Sequence, residues 1–192
     1  MRTRANIIAK VTKPTPWTSK MVVVRKPNSP RLCLDPLHLN KGIIRNHCNT
    51  PTVEDIAPKI AKAKVFSVVD AKDGYLQVVL DELSSCLTTF WIPFGRYRWL
   101  CMPFGIKPAP EEFQRRLHES LEGLENIAGI HYHTVIFRFD DFIEEATTSN
   151  DLALKALLDR CRELGLKLTK DKIVFKQSKV AYMAHILGAD GL

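Results

Sequence analysis

The sequence predicts an α+β fold, an antiparallel sheet with helices packed on one face. Three observations lead there. Extended apolar segments come in pairs joined by turn chemistry, at Pro27-Asn28-Ser29-Pro30 and at Pro93-Phe94-Gly95. Two longer segments carry apolar stripes at helical spacing, Phe113/Leu117/Leu121/Leu124 and Leu154/Leu157/Leu158/Cys161. Strands and helices follow one another without an internal repeat, in the order strand, helix, strand, strand, helix, strand, helix, strand.

Residues 21–26 and 31–35 form the first hairpin, and its ends gather Arg25, Lys26 and Arg31. Such a basic cluster is either a solvated tip or a grip for phosphate. Thr52-Val53-Glu54-Asp55 opens a short helix with a Thr N-cap and acids in its first turn. Phe66-Ser67-Val68-Val69 then runs straight into Asp70, a polar turn follows, and Tyr75 opens a second strand over residues 76–80. A carboxylate at the end of a buried strand is costly unless it is paired or binds a metal. Residues 87–92 and 96–100 form the next hairpin, with aromatics alternating with arginines. Pro110-Glu111-Glu112 starts a helix with Pro in its first turn and acids at its positive end. Residues 130–139 read as one strand, Asn150-Asp151 begins the last clear helix, and Gly165 stops it. Two strands follow, at residues 167–169 and 180–183.

The chain has 192 residues, 45% of them hydrophobic, enough for one real core or one domain with a smaller appendage. Lys and Arg exceed Asp and Glu by 28 to 21, a net charge of +7, which suits a polyanionic partner. The five cysteines are widely spaced with no C-x-x-C pair, so neither a disulfide framework nor a zinc site is expected. The basic N-terminus lacks the apolar run of a signal peptide, and no apolar stretch reaches membrane-spanning length. The expectation is a soluble intracellular protein with no membrane partner, or a piece of a larger one.

Several motifs occur in a fixed order: Trp17-Thr18-Ser19, Arg31-x-Cys33-x-Asp35, Leu39-Asn40-Lys41, Phe66-Ser67-Val68-Val69-Asp70-x-x-x-Gly74-Tyr75, Phe94-Gly95-Arg96-Tyr97, and Met102-Pro103-Phe104-Gly105-Ile106-x-x-Ala109-Pro110-x-x-Phe113-Gln114. Gly165-Leu166-Lys167-Leu168 and Tyr182-Met183-x-His185 continue the series. Together they resemble the reverse transcriptases of Ty3/gypsy-type retrotransposon Pol polyproteins, across nearly the whole chain.

The resemblance implies a right-hand polymerase. Residues 1–65 would be a fingers-like part and 66–192 the palm, with a remaining fingers segment at about 80–100. The thumb, RNase H and integrase would lie outside this chain. The implied activity is RNA-directed DNA polymerisation on an RNA template and DNA primer, using dNTPs and two Mg²⁺ ions, in the cytoplasm or in particles. Asp70 would hold both metals together with a second carboxylate pair. Lys26 and Arg31 would grip the β and γ phosphates, Arg as a fork and Lys as a point charge. Tyr75 would stack under the deoxyribose and exclude a 2′-hydroxyl, with Phe104 and Gly105 lining the pocket. Gln114 would touch the template, and Lys172 would sit near the leaving group.

The second carboxylate pair has two alignments. Without gaps, its positions fall on Tyr132 and His133, neither of which offers a bridging anionic oxygen. With an insertion before and a loss after, Asp140 and Asp141 supply the pair. The first makes this copy an impaired enzyme or a catalytically inactive nucleic-acid-binding remnant; the second leaves the site intact.

Overall fold

The computed structural model describes residues 7–25, 30–45, 48, 51–60, 63–131, 134–139, 144–182 and 185–188. Lys26, Tyr132, His133, Asp140 and Asp141, all named above, lie outside the described residues. Along the chain run β1 (Ile8–Lys10), β2 (Lys20–Val24), β3 (Arg31–Asp35), α1 (Leu39–Gly42), α2 (Val53–Ile60), β4 (Val65–Asp70), α3 (Glu82–Leu87), β5 (Phe90–Ile92), β6 (Gly95–Trp99), α4 (Ala109–Ser120), β7 (Ile127–His131), β8 (Thr134–Phe139), α5 (Glu144–Leu164), β9 (Val174–Gln177), β10 (Lys179–Tyr182) and β11 (His185–Gly188). Every ladder between these strands is antiparallel.

The chain divides into two compact units, Met1–His47 with Asp73–Glu112, and Cys48–Lys72 with Phe113–Leu192. The first holds the β2–β3 hairpin and a three-stranded sheet in the order β1-β6-β5. Leu34, Leu39, Phe90 and Trp99 form its core, flanked by Trp17, Met21, Leu76 and Ile106. The expected hairpin around Pro93-Phe94-Gly95 is present as β5 and β6.

Two expectations in this unit are corrected. Residues 76–80 do not form a strand. Asp73 adopts a left-handed conformation (φ 48°) and Gly74–Gln77 wind into a 3-10 turn, with the Leu76 and Val78 amides bonding locally to the Asp73 and Tyr75 carbonyls. Those local bonds leave only Val79 to bridge Cys101. The strand expected over 87–92 begins only at Phe90, because residues 82–87 are helical. Asp81 caps them, its carboxylate accepting from the Ser84 amide at 2.9 Å, and the Thr88 and Thr89 hydroxyls bond the Ser85 and Cys86 carbonyls at the other end.

The second unit is built on a four-stranded sheet in the order β7-β8-β4-β9, with the β10–β11 hairpin beside it. Residues 130–139 are therefore not one strand. They are shared between β7 and β8, whose ladder runs from Ile127 opposite Phe137 to His131 opposite Thr134. All six residues of β4 are buried, as expected of an apolar run in the middle of a sheet. Phe66 and Val68 join Ile136, Ala128, Ile56 and Ile60 of α2, and Val180, Tyr182 and Leu187 in one core. Helix α2 starts as read: the Thr52 hydroxyl accepts from the Asp55 amide, and the Asp55 carboxylate accepts from the Thr52 amide. Of the expected stripes, Phe113 and Leu117 of α4, Leu121 just after it, and Leu157 and Cys161 of α5 are buried, while Leu124, Leu154 and Leu158 are half-buried.

Candidate functional site

In the second unit the site forms at the end of β4. Gly165, at φ +69°, ends α5, and the chain turns back along the strand end. The Lys72 amide donates to the Lys167 carbonyl, Leu168 bridges Ala71, and the Thr169 amide donates to the Asp70 carbonyl, each bond 2.8 Å long. This short ladder places two side chains on Asp70. The Thr169 hydroxyl donates to Oδ1 at 3.0 Å, and the Lys172 ammonium reaches Oδ1 at 3.2 Å and Oδ2 at 3.3 Å. Asp70 is only 6% exposed, so the ammonium meets the desolvation cost of its charge. Lys172 itself keeps most of its length in solvent.

Across the sheet, Asp70 stands opposite Thr134, and Val65 opposite Phe139. On β7, His131 packs edge-on to Tyr182, with ring centroids 6.3 Å apart. Burial pushes the Tyr182 hydroxyl above its usual pKa, and that hydroxyl has no hydrogen-bond partner among the described residues. Gln114, expected at the template, has no exposed surface. Its Nε2 donates to the Ile130 carbonyl at 2.7 Å and ties α4 to β7.

In the first unit the expected nucleotide-binding residues come together around one ring. The Arg31 guanidinium lies 4.3 Å from the centroid of Phe104, and Tyr75 packs against the same ring at 5.2 Å. The Phe104 carbonyl accepts from the Leu34 amide at 2.9 Å. Gly105 follows at φ +107°, and a Cβ there would fall inside the contact shell of the Leu34 carbonyl oxygen, so only glycine fits. Asn40 then spans the loop, its Nδ2 donating to the Gly105 carbonyl at 3.1 Å and its Oδ1 accepting from the Lys107 amide at 2.9 Å.

Reasoning from sequence missed two of these residues. Asn40 was visible only inside the Leu39-Asn40-Lys41 motif, and its partners lie 65 and 67 positions away. Thr169 was visible only as the last residue of a short strand-like segment.

A family model described as reverse transcriptase (RNA-dependent DNA polymerase) matches residues 11–187. The chain belongs to the reverse transcriptase family. It is 31% identical over 178 residues to the retrovirus-related Pol polyprotein from transposon 412 of Drosophila melanogaster, covering 88% of this chain and 14% of that protein. It is 34% identical over 165 residues to the enzymatic polyprotein of Cestrum yellow leaf curling virus, covering 84% of this chain and 25% of that protein. The chain thus spans between a seventh and a quarter of these two polyproteins. Among solved structures, the foamy viral protease-reverse transcriptase in complex with double-stranded DNA matches with a TM-score of 0.85 at 16% identity, over 97% of this chain and 32% of that one. That likeness establishes the shared fold of a reverse transcriptase. No described helix is long and apolar enough to cross a membrane.

Proposed function

We propose that this chain is the fingers and palm portion of an RNA-directed DNA polymerase from a Ty3/gypsy-type Pol polyprotein. In this copy the chain holds template, primer and deoxynucleotide but extends a primer poorly. Fingers would occupy residues 1–65 and about 80–100, and palm the rest of 66–192. The observation that carries the impairment is the β4–β8 register. Asp70 is opposite Thr134 and Val65 is opposite Phe139. The chain therefore enters β8 beside Asp70 straight after position 133, and leaves it at the far end of β4 just before position 140. The two ends are about 17 Å apart at roughly 3.3 Å per residue. This order favours the gapless alignment, in which Tyr132 and His133 stand where the family has carboxylates.

Reverse transcriptases use divalent metal ions, which supply charge to activate the primer hydroxyl and stabilise the leaving pyrophosphate. The resemblance specifies two Mg²⁺ ions on Asp70 and a second pair. The described residues do not fit such a centre. Asp70 is the one member of that centre among the described residues, and it shares its oxygens with Lys172 and Thr169 rather than leaving them to a metal. What the chain's own residues offer is binding. Arg31 presents a half-buried fork for phosphate, and the resemblance assigns Lys26 to the same phosphates as a point charge. Tyr75 and Phe104 offer flat faces for the sugar, and Gly105 allows close approach of the backbone. The foamy virus proteins were solved with double-stranded DNA and with an RNA/DNA hybrid, and a net charge of +7 suits the same ligands.

A labelled DNA primer on an RNA template tests both halves. We expect binding that weakens steeply between about 50 and 200 mM salt, with little extension before or after Asp70→Ala. Extension that Asp70→Ala abolishes would overturn the impairment; binding indifferent to salt would overturn the template–primer assignment. One observation favours a wholly inactive nucleic-acid-binding remnant: the Lys172 ammonium spans both oxygens of Asp70. That case requires hybrid binding to be unchanged in Asp70→Ala.

A further inference from the structure

We infer that Asn40 is a positioning residue that sets sugar discrimination, acting through the loop that carries Phe104; this rests on the nucleotide-pocket assignment above. The loop is pinned on both sides of the ring. Before it, Cys33 bridges Phe104 and the Leu34 amide holds the Phe104 carbonyl. After it, the Asn40 side chain acts as a surrogate strand, giving a donor to Gly105 and taking the Lys107 amide. The base of this clip is rigid. Asn40 sits in α1, whose buried Leu39 belongs to the unit's core, and the Asn40 amide donates to the Pro36 carbonyl at 2.7 Å.

The clip matters because the residue between the two pins is a glycine. At φ +107° Gly105 has conformations open to it that no other residue would have. Without the second pin the backbone after Phe104 is free to rotate about Gly105, and Phe104 is left with one of its two anchors, the bond from the Leu34 amide. The Phe104 ring touches both Arg31 and Tyr75. Its position therefore sets the gap between the phosphate fork and the aromatic face offered to the sugar. A 2′-hydroxyl is one oxygen in size, so a small widening of that gap is enough to admit it. Asn40 touches no nucleotide in this scheme and acts only through Phe104.

The experiment compares equilibrium binding of dATP and ATP to the full chain on an RNA–DNA hybrid. The hybrid has a templating uridine and a dideoxy-terminated primer, so no chemistry intervenes. Amide hydrogen exchange at Lys107 and Leu34 is measured on the same samples. In Asn40→Ala we expect the preference for dATP to fall by about tenfold, equivalent to ~1.4 kcal/mol of lost discrimination. Lys107 exchange should rise while Leu34 exchange holds. Asn40→Asp keeps the acceptor and loses the donor, so it should fall between the two. Lys107 exchange that rises with the dATP preference intact would overturn the inference, as would Lys107 exchange that does not change. If the unmodified chain binds neither nucleotide, the pocket assignment itself fails and the discrimination role falls with it; the exchange data then still report whether the clip exists.

Discussion

Replacing Gly105 by alanine is the sharpest test of the close packing around Phe104. The alanine must adopt φ +107°, and its methyl group would sit inside the contact shell of the Leu34 carbonyl oxygen, a backbone atom that cannot rotate away. The backbone strain is worth about 1–3 kcal/mol. Relieving the contact separates the two segments and breaks the 2.9 Å bond from the Leu34 amide to the Phe104 carbonyl, about 1 kcal/mol more. The total is ~2–4 kcal/mol, or roughly 5–15 °C in Tm for a chain of this size. Gly123 is the control: it also has a positive φ, +79°, but a Cβ there meets nothing within 4 Å. Gly123→Ala should therefore lose only about 1 kcal/mol of backbone strain. Urea titrations of both variants, followed by circular dichroism, give the comparison. Equal losses in the two would show that contact with Leu34 is not what demands glycine at position 105.

Other consequences are open to measurement. Tyr182→Phe removes a buried hydroxyl with no partner among the described residues and should be neutral or stabilising by about 1 kcal/mol in a denaturant titration; a loss of that size would mean the hydroxyl is bonded. Burial pushes the Cys161 thiol up to about 11, while an unfolded thiol ionises near ~8.5–9. Unfolded chains then gain thiolate first, so stability should fall as pH rises from about 9 to 11, by ~2–3 kcal/mol. Cys161→Ala should flatten that part of the curve, and an unchanged slope would count against it. Gln114→Leu should stay within about 1 kcal/mol, because the lost bond to Ile130 is offset by removing Oε1, which has no hydrogen-bond partner among the described residues. Gln114→Glu buries a charge and should lose about 2 kcal/mol or more at neutral pH, recovering as acid protonates it; tolerance at pH 7 would mean the site is wet.

Much of the fold was legible because its signals are local. The Thr52/Asp55 box, Pro110 at the head of α4, the turn at Pro93-Phe94-Gly95 and the Phe66–Val69 run each depend on residues within a few positions, and each stands as read. Residues 76–80 misled for the same reason in reverse. Their apolar pattern looks extended, but the left-handed Asp73 lets the backbone satisfy itself in a tight turn. Helix α3 has six residues and one clear marker, the Asp81 cap, too little to outweigh the strand-forming run after it. The candidate site was legible in part. Arg31, Tyr75 and Phe104 share one cluster, as the motif order implied. Asn40 on Gly105 and Thr169 on Asp70 were not legible, because contacts 65 and 99 positions apart leave no periodic trace. The alignment proposed for the second carboxylate pair rests on the β4–β8 register, a property of paired strands and not of either one alone.

The interleaving of the two units has a consequence for how this chain is made. Strand β4 belongs to a unit whose first segment ends at Lys72 and which resumes only at Phe113. Its neighbour β8 emerges from the ribosome roughly seventy residues after β4, about 4–14 s later at typical elongation rates. During that interval six residues destined for full burial, Val65–Asp70, have no partner on either edge. Such a segment is prone to pair with another nascent chain. Ser67 and Asp70 are its only polar breaks, and a charge at the end of such a segment opposes edge-to-edge pairing, a property of Asp70 separate from any chemistry.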